Sequence, residues 1–117
     1  MKRDPLNALI SELREFAEAR DWDQFHSPKN LAAALSVEAA EVLEHFQWLT
    51  DESSRQLDGN TREKVELELA DVFLYLLRLS DKLDINLLEA GRKKLKINGV
   101  KYPIDKSRGS SKKYTEL

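Results

Sequence analysis

Apolar residues recur at helical spacing in four stretches of the chain, and polar residues separate these stretches. Apolar side chains three, four and seven positions apart lie on one face of an α-helix, so each stretch predicts a helix with a buried face. The pattern therefore predicts an all-α fold. The four helices are expected from Pro5 to about Arg20, from about Pro28 to Leu49, from about Thr61 to Leu83 and from about Asn86 to Ile97.

Residues at the predicted boundaries support these helices. Asp4-Pro5 and Ser27-Pro28 each place a capping side chain before a proline at the first helical position. Asn60-x-x-Glu63 has the form of a capping box and is expected to open the third helix. Asn98-Gly99 is expected to end the fourth helix, because glycine readily adopts the backbone conformation that follows a helix.

The third helix is apolar on two sides. A domain of this size cannot cover both sides by itself, so we expect the helix to be buried all round and one side to pack against another copy of the chain. The sequence therefore predicts a homo-oligomer. One side consists of Val65, Leu69, Val72, Phe73, Leu76 and Leu79, and the other of Leu67, Ala70, Leu74 and Leu77.

Composition limits the class of protein. The chain has 117 residues, 41% of them hydrophobic, which suits one domain with a modest core. It has no cysteine, which excludes disulfides and thiolate chemistry. We recognise no secretion signal, and the longest apolar runs are far shorter than the roughly 20 residues that cross a bilayer, so we expect a cytoplasmic protein without membrane contact.

Charge is distributed unevenly along the chain. Residues 92–117 contain nine Lys and Arg against two Asp and Glu, although the whole chain has a net charge of −2. We expect residues 1–104 to form the domain and residues 105–117 to form an extended basic tail. The basic end has only two aromatic residues, Tyr102 and Tyr114, and no nucleic-acid-binding motif, so we do not expect a nucleic-acid partner.

Two pairs of carboxylates are the strongest candidates for chemistry. Glu38 and Glu41 lie beside the apolar arc of the second helix, and Glu68 and Asp71 lie in the narrow gap between the two apolar sides of the third. A carboxylate next to buried surface needs a compensating cation or donor. The same Glu-x-x-Glu spacing recurs in the first helix at Glu12, Glu15 and Glu18, but opposite its apolar face, so spacing alone is not informative.

Four carboxylates on facing helices suit a hard cation with oxygen ligands. Mg²⁺ is the first expectation and Mn²⁺ the alternative, because Mg²⁺ also accepts substrate phosphates as ligands. A di-iron site on a similar helical scaffold needs Glu-x-x-His from two helices. Val42 stands three residues before His45, so that spacing is not completed there.

The loop from Asp21 to Asn30 contains Trp22, Phe25 and His26. Its aromatic side chains could stack on a base or cover a small core, and the sequence does not separate these alternatives. Trp48 shares the stripe of Glu38 and Glu41, and Lys94 and Asn98 share a face of the fourth helix.

These motifs resemble the MazG-like all-α nucleoside triphosphate pyrophosphohydrolases, whose signature is Glu-x-x-Glu, a spacer and Glu-x-x-Asp. The likeness extends over nearly the whole chain and is closest to the dCTP pyrophosphatase branch. The branch-specific features are the loop from Arg20 to Leu31, Phe46-Gln-Trp48, Asp71-x-x-x-Tyr75, Lys94-x-x-x-Asn98 and the tail from Lys113 to Leu117.

The resemblance implies a four-helix MazG-like bundle that assembles as a dimer or a tetramer. It also implies hydrolysis of a nucleoside triphosphate, dCTP or a modified cytosine analogue, to the monophosphate and pyrophosphate. It implies catalysis and magnesium binding at Glu38, Glu41, Glu68 and Asp71. Leu13, where animal members of the branch have a histidine, implies an altered or broadened pyrimidine preference. The candidate substrate-binding residues are Trp22, His26, Trp48, Tyr75, Lys94, Asn98 and Tyr102.

Two alternatives remain open at this point. One is hydrolysis of phosphoribosyl-ATP within the same superfamily. The other is a non-enzymatic helical interaction module in which the carboxylates make only salt bridges.

Overall fold

The structure, a computed structural model, describes residues 4–117. All the regular secondary structure in this range is helical. The predicted all-α fold is therefore confirmed. Two 3₁₀ turns, Asp23–Phe25 and Tyr114–Glu116, accompany the helices. The helices are α1 (Pro5–Ala19), α2 (Pro28–Glu44), α3 (Asp51–Ser54), α4 (Gly59–Lys82), α5 (Leu87–Lys101) and α6 (Ile104–Ser107).

Side-chain caps begin the long helices. The Asp4 carboxylate accepts from the backbone N–H of Leu6 at 3.0 Å, and the Ser27 hydroxyl accepts from Asn30 at 3.1 Å, as predicted. The cap of α4 is Asp58, whose carboxylate accepts from the Thr61 N–H at 2.7 Å. The predicted capping box at Asn60 is therefore wrong: the carboxylate one residue before Gly59 already satisfies the free N–H groups of the first turn.

The end of α2 was predicted five residues too late. After Glu44 the backbone continues in turns, with the N–H of His45 bonded to the Val42 carbonyl at 3.2 Å and that of Phe46 to the Leu43 carbonyl at 2.9 Å. Bonds to the third preceding residue tighten the chain and end the α-helix. The polar linker that follows contains the short helix α3, which the sequence pattern did not predict.

The end of α5 was predicted too early. The helix continues through Asn98-Gly99 to Lys101, and the Tyr102 N–H donates to the Asn98 carbonyl at 2.8 Å. Among residues 4–117, Gly109 is the one glycine with a positive φ, so Gly99 does not adopt the left-handed conformation. Glycine inside a helix costs about 1 kcal/mol relative to alanine, and here this cost does not end the helix.

The chain divides after Asp84 into two compact units. In the first, α2 packs along α4 and α1 makes a smaller contact with α4. Its buried apolar core contains Ala17, Leu31, Val65 and Leu77, so each of the three helices contributes to it. This packing holds α2 and α4, the helices with the predicted carboxylate pairs, side by side.

The second unit, Ile85–Leu117, contains α5, α6 and the C-terminal 3₁₀ turn. The ring of Tyr114 meets that of Tyr102 edge-on at 5.9 Å between centroids, and the Lys101 ammonium lies 4.6 Å from the centre of the Tyr114 ring. The basic tail is therefore not extended throughout, because α6 interrupts it and Tyr114 returns to the end of α5. The boundary between a domain at 1–104 and a tail at 105–117 stays a prediction.

The two apolar sides of α4 are unequally covered. Leu77 is fully buried within the chain, whereas Leu67 is 64% exposed and Leu69 and Phe73 are also exposed. Within one chain α4 is therefore not buried all round, because α1 and α2 cover only part of it. The sequence predicted complete burial with a second copy of the chain packed on one side, and that part is untested. The four-helix bundle and the homo-oligomer stay predictions.

Within residues 4–117, no helix combines the length and the apolar character that a membrane span requires. The cytoplasmic location expected from the sequence stays a prediction.

Ion pairs join α1, α4 and the loop between α1 and α2. Arg14 on α1 donates from both Nε and Nη2 to the carboxylate of Asp81 on α4, with an Nε–Oδ2 distance of 2.7 Å. Buried Arg78 approaches the same carboxylate and also binds Asp23 in the loop, which Lys82 contacts as well. The hydrogen bond from Arg14 is the largest cause of the lowered pKa of Asp81.

Arg14→Met should lower the free energy of unfolding by about 1 kcal/mol at pH 7, because Arg14 is half exposed and its pair is partly screened. Asp81 has a folded pKa below its ordinary value of 3.8, so the pair stabilises the protein fully above that pH and the contribution is lost as pH falls through the folded pKa. Urea unfolding of both proteins at pH 7 and at acidic pH measures the difference. A difference that does not shrink on acidification would contradict this account.

Candidate functional site

Three carboxylates meet where α2 packs on α4. Glu38, Glu41 and Glu68 each offer an oxygen, and these three atoms lie within 4.8 Å of one another. Glu38 and Glu41 are partly buried one turn apart on α2, and Glu68 faces them from α4. By contrast Glu12, Glu15 and Glu18 on α1 are exposed, as predicted for carboxylates opposite an apolar face.

The cluster strongly favours protonation. Burial, hydrogen bonding with Glu41 and the nearby negative charges of Glu41, Asp71 and Glu68 raise the pKa of Glu38 to about 7. Hydrogen bonding with Glu41, burial and the nearby carboxylate charges also raise the pKa of Glu68, while His45 opposes the rise. The His45 imidazole lies 3.8 Å from the Glu68 carboxylate. Like charges held this close destabilise the ionised forms unless a cation is present.

The donor set fits a hard divalent cation. One buried oxygen of Glu38 and one of Glu68, each named Oε2, have no hydrogen-bond partner within residues 4–117. Buried carboxylate oxygens without donors are costly, and oxygen ligands of this kind are those that Mg²⁺ and Mn²⁺ prefer. Asp71 lies outside the group of three, although its charge contributes to the raised pKa values of Glu38 and Glu68. Its role as a fourth ligand stays a prediction.

A cavity of about 250 Å³ adjoins Asp71 in the first unit. Most of its wall is aromatic or aliphatic, and its polar groups come from a few side chains, which is typical of small-molecule sites. The wall consists of Leu13, Phe16, Ala17, Trp22, His26, Asp71, Leu74, Tyr75 and Arg78. Three of the predicted substrate-binding residues, Trp22, His26 and Tyr75, thus share one cavity with a predicted carboxylate ligand.

Local backbone structure places Trp22 and His26 in this wall. Asp21 adopts the left-handed conformation with φ of 54°, which turns the chain after α1, and the Trp22 N–H then donates to the Ala17 carbonyl at 3.0 Å. The Trp22 ring meets Phe16 edge-on at 5.7 Å and His26 at 6.3 Å. Trp22 therefore contacts α1 and also lines the cavity, and its stacking on a base stays a prediction.

The other predicted substrate-binding residues lie elsewhere. Trp48 is in the turn after α2, is 88% exposed and does not line the cavity. Lys94 and Asn98 lie one turn apart on α5, and Tyr102 follows that helix. These three belong to the second unit, and their roles stay predictions.

Sequence reasoning missed Arg78. This side chain is 5% exposed, lines the cavity and bonds to His26. An arginine directly between Leu77 and Leu79, on the most apolar helix, was an available signal, because a buried cation needs partners. Those partners are far away in the sequence, so periodicity within α4 could not identify them.

Several known proteins are similar to this chain in sequence or in fold. The model of the MazG-like family matches residues 33–117, which include both carboxylate pairs. A crystal structure of a pyrophosphatase from Archaeoglobus fulgidus superposes with a TM-score of 0.83 at 40% sequence identity, covering 88% of this chain and 96% of that one.

Two curated mammalian relatives are both named dCTP pyrophosphatase 1. The human protein is 45% identical and the Bos taurus protein 43% identical, each over 105 residues, or 88% of this chain. The chain spans only 62% of the length of each of these relatives. The family match covers most of the chain and the structural match almost the whole of the archaeal protein, and on this evidence the chain belongs to the MazG-like family.

Proposed function

We propose that the chain is a magnesium-dependent pyrophosphohydrolase that converts a nucleoside triphosphate, dCTP or a modified cytosine analogue, to the monophosphate and pyrophosphate. The main observation is the cluster of three carboxylates with two unpartnered oxygens next to an aromatic cavity. The relatives named dCTP pyrophosphatase 1 support the choice of nucleotide.

The cluster and the cavity suit the two ends of such a substrate. Glu38, Glu41 and Glu68, with Asp71 as a fourth candidate, would hold Mg²⁺, which when bound offsets the negative charge of the carboxylates and the phosphates. Trp22 and Tyr75 offer flat surfaces for the base. Hydrolysis joins the oxygen of water to the α-phosphorus, breaks the bond from that phosphorus to the bridging oxygen, and leaves a proton for a carboxylate to accept.

The non-enzymatic alternative agrees less well with the structure. In an interaction module the carboxylates would be neutralised by cationic side chains. Among the described residues the cluster makes one ion pair, between Glu68 and His45, and this pair is long at 3.8 Å. Measuring pyrophosphate release from canonical and modified nucleotides, with phosphoribosyl-ATP in the same panel, tests the proposal against both alternatives.

Glu41→Gln should abolish hydrolysis, because it removes a ligand charge from the centre of the cluster. Magnesium should raise the thermal unfolding temperature of the parent, and less so that of the variant. Without magnesium the variant should be at least as stable as the parent, since repulsion with Glu38 and Glu68 falls.

Glu15→Gln on the exposed side of α1 is the matched control for Glu41→Gln and should change neither activity nor the magnesium effect. Asp71→Asn tests the fourth ligand separately. If Glu41→Gln and Asp71→Asn both keep parental activity, the carboxylates are not the catalytic centre.

Trp48→Ala should leave the fold stable, because an 88% exposed side chain contributes little to the core. If Trp48 stacks on the base as the resemblance implies, the variant should bind nucleotide about 10- to 100-fold more weakly, as expected for a stacking contact of roughly 1–3 kcal/mol. The fluorescence of Trp22, the remaining tryptophan, reports the titration. Parental affinity would confine base recognition to the cavity that contains Trp22 and Tyr75.

Homo-oligomerisation is part of the proposal and would cover the exposed apolar side chains of α4. Leu67→Glu should then shift sedimentation toward the monomer, whereas Lys64→Glu, one turn earlier on the same helix, tests for a mere charge effect. We choose Leu67 because Leu74 lines the cavity and Leu77 is buried within the chain. A monomeric parent at working concentrations would contradict the prediction.

A further inference from the structure

Arg78 makes three contacts that fix its guanidinium in the cavity wall. Its Nε donates to Nδ1 of His26 at 3.1 Å, its Nη2 donates to the Asp23 carboxylate at 2.9 Å, and its Nη1 lies 3.8 Å from the Asp81 carboxylate. The side chain is buried, and its loop partners are the first residue of the 3₁₀ turn, Asp23, and the residue directly after that turn, His26. Arg78 therefore holds the aromatic loop against α4.

The bond from Arg78 to His26 also determines where the proton of the imidazole lies. Arginine has only donors and stays protonated in proteins, so Nδ1 of His26 must present its lone pair. The ring proton of the neutral imidazole is then on Nε2. Within residues 4–117 Nε2 makes no hydrogen bond, and His26 lines the cavity. His26 can therefore offer an N–H donor to a molecule in the cavity.

The groups around His26 keep the imidazole neutral. Burial is the largest cause of its lowered pKa, followed by the positive charges of Arg78 and Lys82 from α4, while Asp23 in its own loop opposes them. Asp71 is the acidic group in the wall of the same cavity. A second proton on Nδ1 would also break the bond from Arg78. His26 is thus suited to donate a hydrogen bond at neutral pH and not to act as a cationic acid.

We propose that Arg78 is a positioning residue that sets the tautomer of His26, so that the cavity selects a base edge with a hydrogen-bond acceptor. The proposal rests on the proposed function in that it takes the cavity occupant to be a nucleobase. Cytosine has two such acceptors, the carbonyl oxygen O2 and the ring nitrogen N3. An edge that presents only N–H donors would leave both itself and His26 unpaired, which is the strongest form of discrimination in a polar pocket.

Two variants separate the donor from the charge. In Arg78→Gln the amide nitrogen occupies the position of Nε along the side chain, so it can still donate to Nδ1 of His26 although the charge and the bond to Asp23 are gone. Arg78→Met has a similar stem without any donor. Arg14→Met is the control, because it breaks the other ion pair of Asp81 without contacting His26 or lining the cavity.

The first measurement is the ¹⁵N–¹H correlation spectrum of the histidine rings, which needs no catalytic activity. The chain has two histidines, so His26→Gln assigns the signals. The parent, Arg78→Gln and Arg14→Met should all show the Nε2–H tautomer of His26, and Arg78→Met should show a mixture. A proton on Nδ1, or an imidazolium at pH 7, in the parent would overturn the proposal.

The second measurement is hydrolysis of dCTP and of its 2-thio and 3-deaza analogues, which weaken the acceptor at O2 and remove that at N3. His26 can donate to only one of the two acceptors, so only the analogue that lacks this acceptor should be affected. For the parent and for Arg78→Gln, that analogue should have a KM about tenfold higher than dCTP, as expected for one lost hydrogen bond. Arg78→Met should discriminate between dCTP and that analogue less than about twofold, and its loss with dCTP should fall more on KM than on kcat. Equal losses in the Gln and Met variants would show that the charge of Arg78, not its donor, matters, and would refute the tautomer role.

The tautomer measurement and the hydrolysis measurement can contradict the two proposals separately. If the parent shows the Nε2–H tautomer but hydrolyses no nucleotide, the proposed function is wrong. If the parent hydrolyses dCTP while His26 has its proton on Nδ1, the inference about Arg78 is wrong and the proposed function stands.

Discussion

Repulsion among carboxylates is the constraint on which the site depends. Glu38, Glu41 and Glu68 are held together only because α2 packs along α4, and that packing places like charges where burial makes them costly. Apolar contacts such as those of Leu31 and Leu77 must outweigh this cost. The fold therefore keeps a region of unfavourable electrostatics at its best-packed helix pair, which is the expected trade-off between stability and a cation site.

Helix α4 contributes residues to both the carboxylate cluster and the cavity. Glu68 contributes to the carboxylate cluster, Asp71 lies in the cavity wall, and Tyr75 and Arg78 follow in that wall. At 1.5 Å per residue, the backbone from Glu68 to Arg78 spans about 15 Å. One helix thus separates the carboxylate cluster from the far side of the cavity, and α1 and the aromatic loop supply the rest of the cavity wall.

Periodicity predicted the helices and the paired carboxylates because both depend on residues close together in the sequence. The ends of α2 and α5 could not be predicted: hydrogen bonds after Glu44 tighten the chain without glycine or proline, and Gly99 stays helical. Arg78 and His26 lie 52 residues apart, so only the tertiary structure reveals their bond. The exposure of Trp48 could not be predicted for a related reason. The sequence analysis placed Trp48 on the same helical face as Glu38 and Glu41, which requires α2 to continue past Glu44.

The cap at Asp58 has a consequence for how this chain can change in length. It begins α4 with its own side chain, which accepts a hydrogen bond from the Thr61 N–H, so the start of α4 does not depend on the number of residues before it. Extending a surface loop costs little closure entropy, about 0.6 kcal/mol for each doubling. The segment between α2 and α4 can therefore accept insertions while the carboxylates keep their places, and a search for distant members should allow the spacer between the motifs to vary.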